Sequence, residues 1–432
     1  MDRAPAAALS RREAILVVAT GCAGAVLAAL PTLAIQLVVV LGAAIVTASM
    51  MMARAWRVLN PAWLIVAWLY LLGPLGSLLN QAGVGLSTAA LVLMAPGPFV
   101  VAAVLRRPWS LERLVLLAPL GLLMALAGLS LWWSPDSAYG VDKLTLWILT
   151  GLLPATFILV LAPGSSSISW RLIAGVALLY ALGLILFGGA TPLNPGRATL
   201  FDANPIWAAR AVFIGALVVL FGPFPLFAKL ATAPVMILAG LTTVSLGPAL
   251  GLVVGAWAGV SEALRCADRR DRRVVVGWAA LLLISGIALV VMLSGALDPM
   301  LARLGVDPNA SSRVNYLAAA GGLFLQAPIL GVGIGGFAAT GLDFYPHNMV
   351  AEVGSELGSL GILFLLAWVG LALRGAARSP IVVALVVATI VFSLASGNLA
   401  GNTEFWMFSA LAVSMLPTGR GRAVRDGQAA DQ

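Results

Sequence analysis

The sequence predicts an all-α fold, a polytopic transmembrane helix bundle of about 12–14 spans with one large outer loop that contains a short interfacial helix. Four observations predict it. Of the 432 residues, 61% are hydrophobic and only 10% charged, where a soluble domain carries about 25% charged residues. The mean hydropathy is +1.03, which leaves too little polar side chain to cover a water-soluble globule of this size. Apolar runs of helix length recur along the whole chain, and the alternating strand pattern of a membrane barrel is absent. Lysine and arginine, finally, collect in every second connection. This composition excludes a soluble enzyme, a disordered chain and a nucleic-acid binder.

Taken in order, the candidate spans are 13–30, 33–52, 61–79, 86–105, 112–132, 143–161, 170–188, 205–222, 228–245, 247–265, 274–296, 347–373, 380–397 and 403–417. The pair 228–245 and 247–265 is short and joined by a tight turn expected at Gly247-Pro248. The organisation is an N-terminal transmembrane bundle (1–296), a large periplasmic or extracellular loop (297–346), C-terminal transmembrane helices (347–417) and a polar cytoplasmic tail (418–432). Arg3, Arg11 and Arg12 precede the first run, which reads as a retained helix rather than a cleaved signal because further spans follow without interruption. Cys22 and Cys266 are far apart, so no disulfide framework is expected.

With the N-terminus cytoplasmic, 20 of the 25 lysines and arginines fall on the inner side. The five outer ones are Lys143, Arg197, Arg210, Arg303 and Arg313. That asymmetry orients the chain by the positive-inside rule, with both termini in the cytoplasm. The net charge of +8 is thereby topological and does not imply a nucleic-acid partner.

Chemistry is sought in the outer loop, because long connections in compact proteins are uncommon and usually functional. Ser311 and Ser312 are positioned to cap a helix over 312–326, whose apolar face places it at the membrane surface. Pro328 ends it. The run Gly331-Val332-Gly333-Ile334-Gly335-Gly336-Phe337 lacks the preceding strand, following helix and downstream acid of a nucleotide fingerprint. It reads instead as backbone able to pack close to helices. Tyr345-Pro346-His347-Asn348 follows. His347 is the only histidine, and Glu352 and Glu356 lie within reach along the same segment. Ionisable groups at a span end that face the bundle are functional candidates, and histidine is the side chain suited to take a proton near neutrality. A second outer loop, 189–204, carries Arg197 and Asp202, with Arg210 just inside the next span. Arginine forks suit phosphate oxygens, against the simpler reading of Arg197 as an ion pair with Asp202. No Cys/His cluster for a metal is present. Trp132-Trp133 reads as an interfacial anchor.

The order Ser311-Ser312-Arg313, then Pro328-Ile329-Leu330-Gly331-Val332-Gly333, then Pro346-His347-Asn348, then Glu356-Leu357-Gly358-Ser359-Leu360-Gly361 resembles the signature region of the O-antigen ligase and O-antigen polymerase family. The likeness is tightest over 311–361. Phe201-Asp202-Ala203-Asn204-Pro205 also resembles a segment before a family span. The sequence departs from the family at Thr242-Thr243-Val244-Ser245-Leu246-Gly247, where Leu246 stands in place of a second arginine. Either that arginine is absent from this sequence, or Arg197 or Arg210 takes its place.

The resemblance implies a metal-independent, cofactor-free membrane glycan transferase. It would move a saccharide chain from an undecaprenyl-diphosphate carrier to a hydroxyl of a lipid or glycan acceptor on the outer face, with a role in lipopolysaccharide or exopolysaccharide synthesis. His347 and Arg313 are the expected catalytic residues; Arg197, Arg210, Asn348, Glu352 and Glu356 are the expected substrate-binding residues. A ligase and a polymerase share these motifs. Transferases that use polyprenyl-monophosphate sugars favour acids in the first outer loop, and Leu30-Pro31-Thr32 has none. A cell-wall elongation polymerase lacks this Pro-His-Asn arrangement. A transporter is expected to show internal repeats, broken spans and buried charge; no repeat is visible, and the charges read as crowded at span ends.

Overall fold

Apolar runs bounded by proline, glycine and short polar turns become helices in the computed structural model, which describes residues 61–81, 91–92, 111–161, 168–191, 194–200, 203–266, 308–377 and 379–417. The described residues belong to one compact unit, Leu59–Gln432. The candidate spans 13–30, 33–52, 86–105 (apart from residues 91–92) and 274–296, with Asp202 and Arg303, lie outside the described residues. Ten remaining candidates each meet a helix. Helix α1 runs from Ala62–Val66 through a π-turn at Ala67–Leu71 into Leu72–Gln81. Helix α2 begins as a 3-10 turn, Leu111–Leu117, and continues as Ala118–Ser130. Helix α3 is Ser137–Leu161 and α4 is Trp170–Phe187. Then come α5 (Pro205–Phe221), α6 (Leu226–Thr242) and α7 (Leu246–Cys266). The loop helix α8 is Pro308–Gln326, followed by α9 (Met349–Ala376), α10 (Pro380–Ser396) and α11 (Thr403–Ser414). Five of these helices are long and apolar enough to cross a membrane, and the protein is an all-α polytopic bundle of membrane-protein character.

Helices apolar on every side belong at the centre of such a bundle. In α5 every residue from Ala208 to Val219 is buried, and in α11 all of Thr403–Ser414 is buried. The 12 residues of α11 rise about 18 Å, well short of the roughly 30 Å hydrocarbon core. It is an internal helix shielded by protein, not a span by itself. Around it three indole and phenol groups find partners: Trp368 Nε1 donates to Ser409 Oγ at 2.8 Å, Trp406 Nε1 to the Leu399 carbonyl at 3.0 Å, and Tyr70 Oη to the Ala211 carbonyl at 2.9 Å.

The short pair α6 and α7 is two helices, but the turn lies at Thr243-Val244-Ser245, with Val244 at φ +50°, not at Gly247-Pro248. Those two residues sit in the first turn of α7, where proline's missing N–H costs nothing. Helix α7 carries glycine at every fourth position: Gly247, Gly251, Gly255 and Gly259. This stripe lets its backbone press against α10, where Ala384, Ala388, Phe392 and Ala395 fill the space a Cβ would need. Small residues at spacing four are how membrane helices approach closely.

One segment read as a loop has regular structure, and one expected helix starts earlier than its sequence suggests. Within 189–204, β1 (Gly189–Thr191) and β2 (Asn194–Thr199) form an antiparallel hairpin. Helix α8 starts at Pro308, four residues before the expected boundary. Proline preset for a first helical turn begins it, so Ser311 and Ser312 lie inside the helix rather than capping it.

Candidate functional site

The site is organised by two helix ends. The first is a break inside α9. Gly358 adopts φ +66° and ψ −164° in the middle of the helix, a backbone region open essentially to glycine alone. The break frees carbonyls and N–H groups that a buried helix cannot leave unpaired. The glycine loop supplies their partners. Val332 and Gly333 donate to the Ser355 and Glu356 carbonyls at 3.0 and 2.9 Å, while Ser359 and Leu360 donate to the Pro328 and Ile329 carbonyls at 2.8 and 3.2 Å. Gly331, Gly333 and Gly335 all have positive φ. A Cβ on Gly331 would overlap the Glu356 backbone. On its other side the loop is pinned by Ser130 Oγ, which accepts from Ile334 N–H at 2.9 Å. Ser134 Oγ donates to the Ile334 carbonyl at 2.7 Å, and Trp133 Nε1 donates to that of Gly331 at 3.1 Å. Trp133 is thus a clamp on this loop, while Trp132 is 87% exposed.

This wedge gathers a buried ion cluster. Because α3 begins at Ser137, Lys143 lies almost two turns inside the helix instead of in an outer connection. Its Nζ sits 2.5 Å from Glu352 Oε1 and 2.6 Å from Glu356 Oε2, with all three side chains essentially inaccessible. The remaining carboxylate oxygens accept backbone N–H groups, Glu352 Oε2 from Leu399 at 2.7 Å and Glu356 Oε1 from Phe337 at 3.3 Å. Glu352 and Glu356 therefore face inward and hold α3, α9, the glycine loop and the α10–α11 connection together. Neither orients the imidazole of His347.

The second organising end is the C-terminus of α10, whose last carbonyls have no partner within the helix. Three carbonyls near this end are taken by side chains from elsewhere. Arg210 NH2 donates to the Phe392 carbonyl at 3.0 Å, Asn348 Nδ2 to that of Leu394 at 2.9 Å, and Arg313 NH1 to that of Ala395 at 3.1 Å. The negative pole of the helix favours such cations. Residues 210, 313 and 348 meet here although they are remote in the chain.

Their surroundings differ. Arg210 is buried and also bonded to Glu404 Oε1 at 2.5 Å, Asn402 Oδ1 at 2.9 Å and Ser396 Oγ at 3.1 Å. It ties α5 to α10 and α11. Asn348 caps α9, its Oδ1 accepting from Val350 and Ala351, so both ends of its amide are occupied. Arg197, on β2, donates from Nε to the Thr243 carbonyl at 3.0 Å and from NH2 to Ser245 Oγ at 2.7 Å. It reaches the turn that leads into α7, and Gly247 at the start of that helix packs against Ala395. Arg313 is exposed on α8.

One turn after Arg313, the Tyr316 ring stacks on His347 with centroids 5.7 Å apart and planes at 26°. Tyr345 covers the imidazole from another side at 4.5 Å. His347 adopts φ +56°, a left-handed conformation of the kind that concentrates at functional sites. Its Nε2 lies 3.2 Å from Asp343 Oδ2, with the two side chains 25% and 28% exposed. Burial pushes the Tyr345 phenol up; the Glu352 and Asp343 carboxylates act the same way, and Arg210 and Arg313 oppose them. Asp343, Tyr316 and Tyr345 were not among the sequence candidates. Asp343 had a signal in its spacing, four residues before the only histidine. Among the described residues no group of three or more His, Cys, Asp or Glu could hold a metal ion. No protein-family model matches the chain, and no curated protein matches it.

Proposed function

We propose that this protein is a membrane glycan transferase of the O-antigen ligase type, moving a saccharide from an undecaprenyl-diphosphate carrier to an acceptor hydroxyl at the outer face of the bacterial inner membrane. The observation that carries the reading is the meeting of one partly exposed imidazole with an exposed guanidinium at a single helix end. His347 stands beside Tyr316, Arg313 is one turn away on the same helix, and Arg197 is tied to the neighbouring turn. In the reaction, the acceptor oxygen bonds to the anomeric carbon and the bond from that carbon to the diphosphate breaks, its electrons passing to the leaving group. His347 takes the hydroxyl proton. Arg313 and Arg197 meet the growing negative charge on the diphosphate, and a preset donor of this kind is worth roughly 3 kcal/mol in the transition state. Arg210 and Asn348 act from behind, by holding the α10 end in place, while Glu352 and Glu356 hold the frame.

The test is transfer from an undecaprenyl-diphosphate-linked saccharide by purified protein. His347→Gln and Arg313→Ala should each lower turnover by about 10²–10⁴-fold with unchanged thermal unfolding. Near-normal turnover in both variants rejects the mechanism.

A transporter is a second reading, favoured by the broken helix α9 and the ion cluster beside it, features common at transport sites. The two part on one measurement. A transferase consumes the carrier-linked saccharide, and a transporter only moves it across the bilayer.

A further inference from the structure

Asp343 and His347 sit in a loop whose geometry leaves little freedom to either side chain. Asp343 Oδ1 accepts the N–H of Phe344 at 2.6 Å, which orients the carboxylate and turns Oδ2 toward His347. The Phe344 ring rests 5.4 Å from Tyr139 of α3, fixing that part of the loop to the bundle. The imidazole is stacked on Tyr316, which in turn meets Phe337 edge-on at 6.3 Å, and Tyr345 closes a further side. Asn348, the next residue, is locked as the cap of α9. The ring is therefore held by aromatic faces with Nε2 directed at Asp343. Nδ1 has no hydrogen-bond partner among the described residues.

We propose that Asp343 is a positioning residue that fixes the His347 tautomer, with the proton on Nε2, so that Nδ1 is the atom that receives the acceptor proton. This rests on the transferase reading above. The neutral imidazole donates Nε2–H to Asp343 Oδ2. When Nδ1 takes the hydroxyl proton the ring becomes a cation, and the adjacent carboxylate stabilises it without itself being protonated. The proton then leaves Nδ1 to water, which restores the starting form. The charged and titratable groups facing the ring are few. Asp343 and Tyr345 come from its own loop and Tyr316 from α8, where Arg313 lies one turn earlier. Glu352 and Glu356 are committed to Lys143, and Glu404 to Arg210.

A single histidine in 432 residues makes the test clean. The full chain, labelled with ¹⁵N only in histidine and purified in detergent, gives one imidazole whose tautomer is read by NMR. The wild type should show the Nε2–H tautomer. In Asp343→Ala both tautomers should be populated, since nothing then holds the proton on Nε2. Transfer should fall roughly tenfold to a hundredfold. That is well short of the roughly 10⁴-fold loss that follows where a buried aspartate fixes a catalytic histidine. KM should change little, and Asp343→Glu should recover part of the rate together with the Nε2–H form. An Nδ1–H tautomer in the wild type, or an unchanged tautomer in Asp343→Ala, overturns the proposal whatever the activity. A changed tautomer with full transfer activity also overturns it, since the pair would then have no part in turnover. If the tautomer changes but the wild type transfers no saccharide, the transferase reading fails, and the positioning role fails with it.

Discussion

The first turns of α9 separate two charge clusters of opposite character. Inside the bundle, Lys143 with Glu352 and Glu356 is dry, and its atoms are spent on one another and on backbone N–H groups. At the helix entrance, His347 with Asp343 and Arg313 is partly open. The sequence makes them look like one constellation, since Glu352 and Glu356 follow His347 by five and nine residues. The left-handed turn at His347 and the cap at Asn348 divide them. The lesson is that an ionisable residue in an apolar segment has two distinct uses. Saturated and buried charge joins helices; charge with spare valence at an open edge is available to a substrate.

The sharpest way to break this comparison is to remove the inner cation. Lys143→Met leaves two carboxylates buried without their counter-charge, and losing one partner of a buried pair costs about 3–5 kcal/mol. The expected result is a large fall in the thermal unfolding temperature in detergent, or no folded protein. Adding Glu352→Gln and Glu356→Gln to the same variant removes the stranded charges and should restore much of the loss. If Lys143→Met unfolds at the wild-type temperature, the inner cluster is not the joint described here. The entrance behaves the other way, because His347→Gln should remove activity while leaving unfolding unchanged.

The helix break sets the next expected effect. Gly358→Ala forces a Cβ into a backbone conformation that costs roughly 1–3 kcal/mol for other residues, and drives it into the Ile329 carbonyl. Unfolding measured by circular dichroism should fall accordingly. Transfer should fall too, because the loop that fills the break also leads to Asp343 and His347.

Much of this architecture is legible in the sequence, and the failures have physical causes. Among the described residues, every apolar run taken as a span meets a helix. The span starting at 143 was cut short because a lysine reads as a boundary, when in fact Lys143 is neutralised by partners more than 200 residues away. Arg210 looked available for the same reason; its partners Asn402 and Glu404 lie at the start of α11, which only the tertiary fold brings near. Glycine at 247, 251, 255 and 259 marks α7 for close helix approach, but that the partner is α10 comes only from the structure. The pairing of Arg313 with the His347 region came through motif order, and the structure joins them through the stack of Tyr316 on His347. What could not be read is the α10 end as an organising centre, since its acceptors are backbone carbonyls that carry no sequence mark.

Asn348 offers a smaller test of that centre. Asn348→Ala removes the cap of α9 and the bond to the Leu394 carbonyl, so about 1 kcal/mol of stability should be lost. Asn348→Asp keeps an acceptor for the cap but gives up the donor to Leu394. It should recover stability while leaving activity low, if the link to α10 matters for placing His347. Equal activity in Asn348→Asp and wild type would show that the cap alone is what this residue supplies.

The smallest effect separates glycines that do work from those that do not. Gly331 and Gly358 occupy left-handed or extreme backbone with neighbours where a Cβ would stand, whereas Gly321 and Gly322 lie in the exposed part of α8 with nothing within 4 Å of an added Cβ. Helical glycine costs about 0.5–1 kcal/mol relative to alanine through the extra freedom of the unfolded chain. Gly321→Ala should therefore raise stability by that amount, seen as a modest rise in unfolding temperature. Transfer should be unchanged if α8 works as a rigid carrier of Arg313 and Tyr316, because alanine preserves the helix that holds both. A loss of transfer at raised stability would instead show that α8 must bend at this point during turnover, and the entrance cluster would then depend on motion where the inner one depends on rigidity.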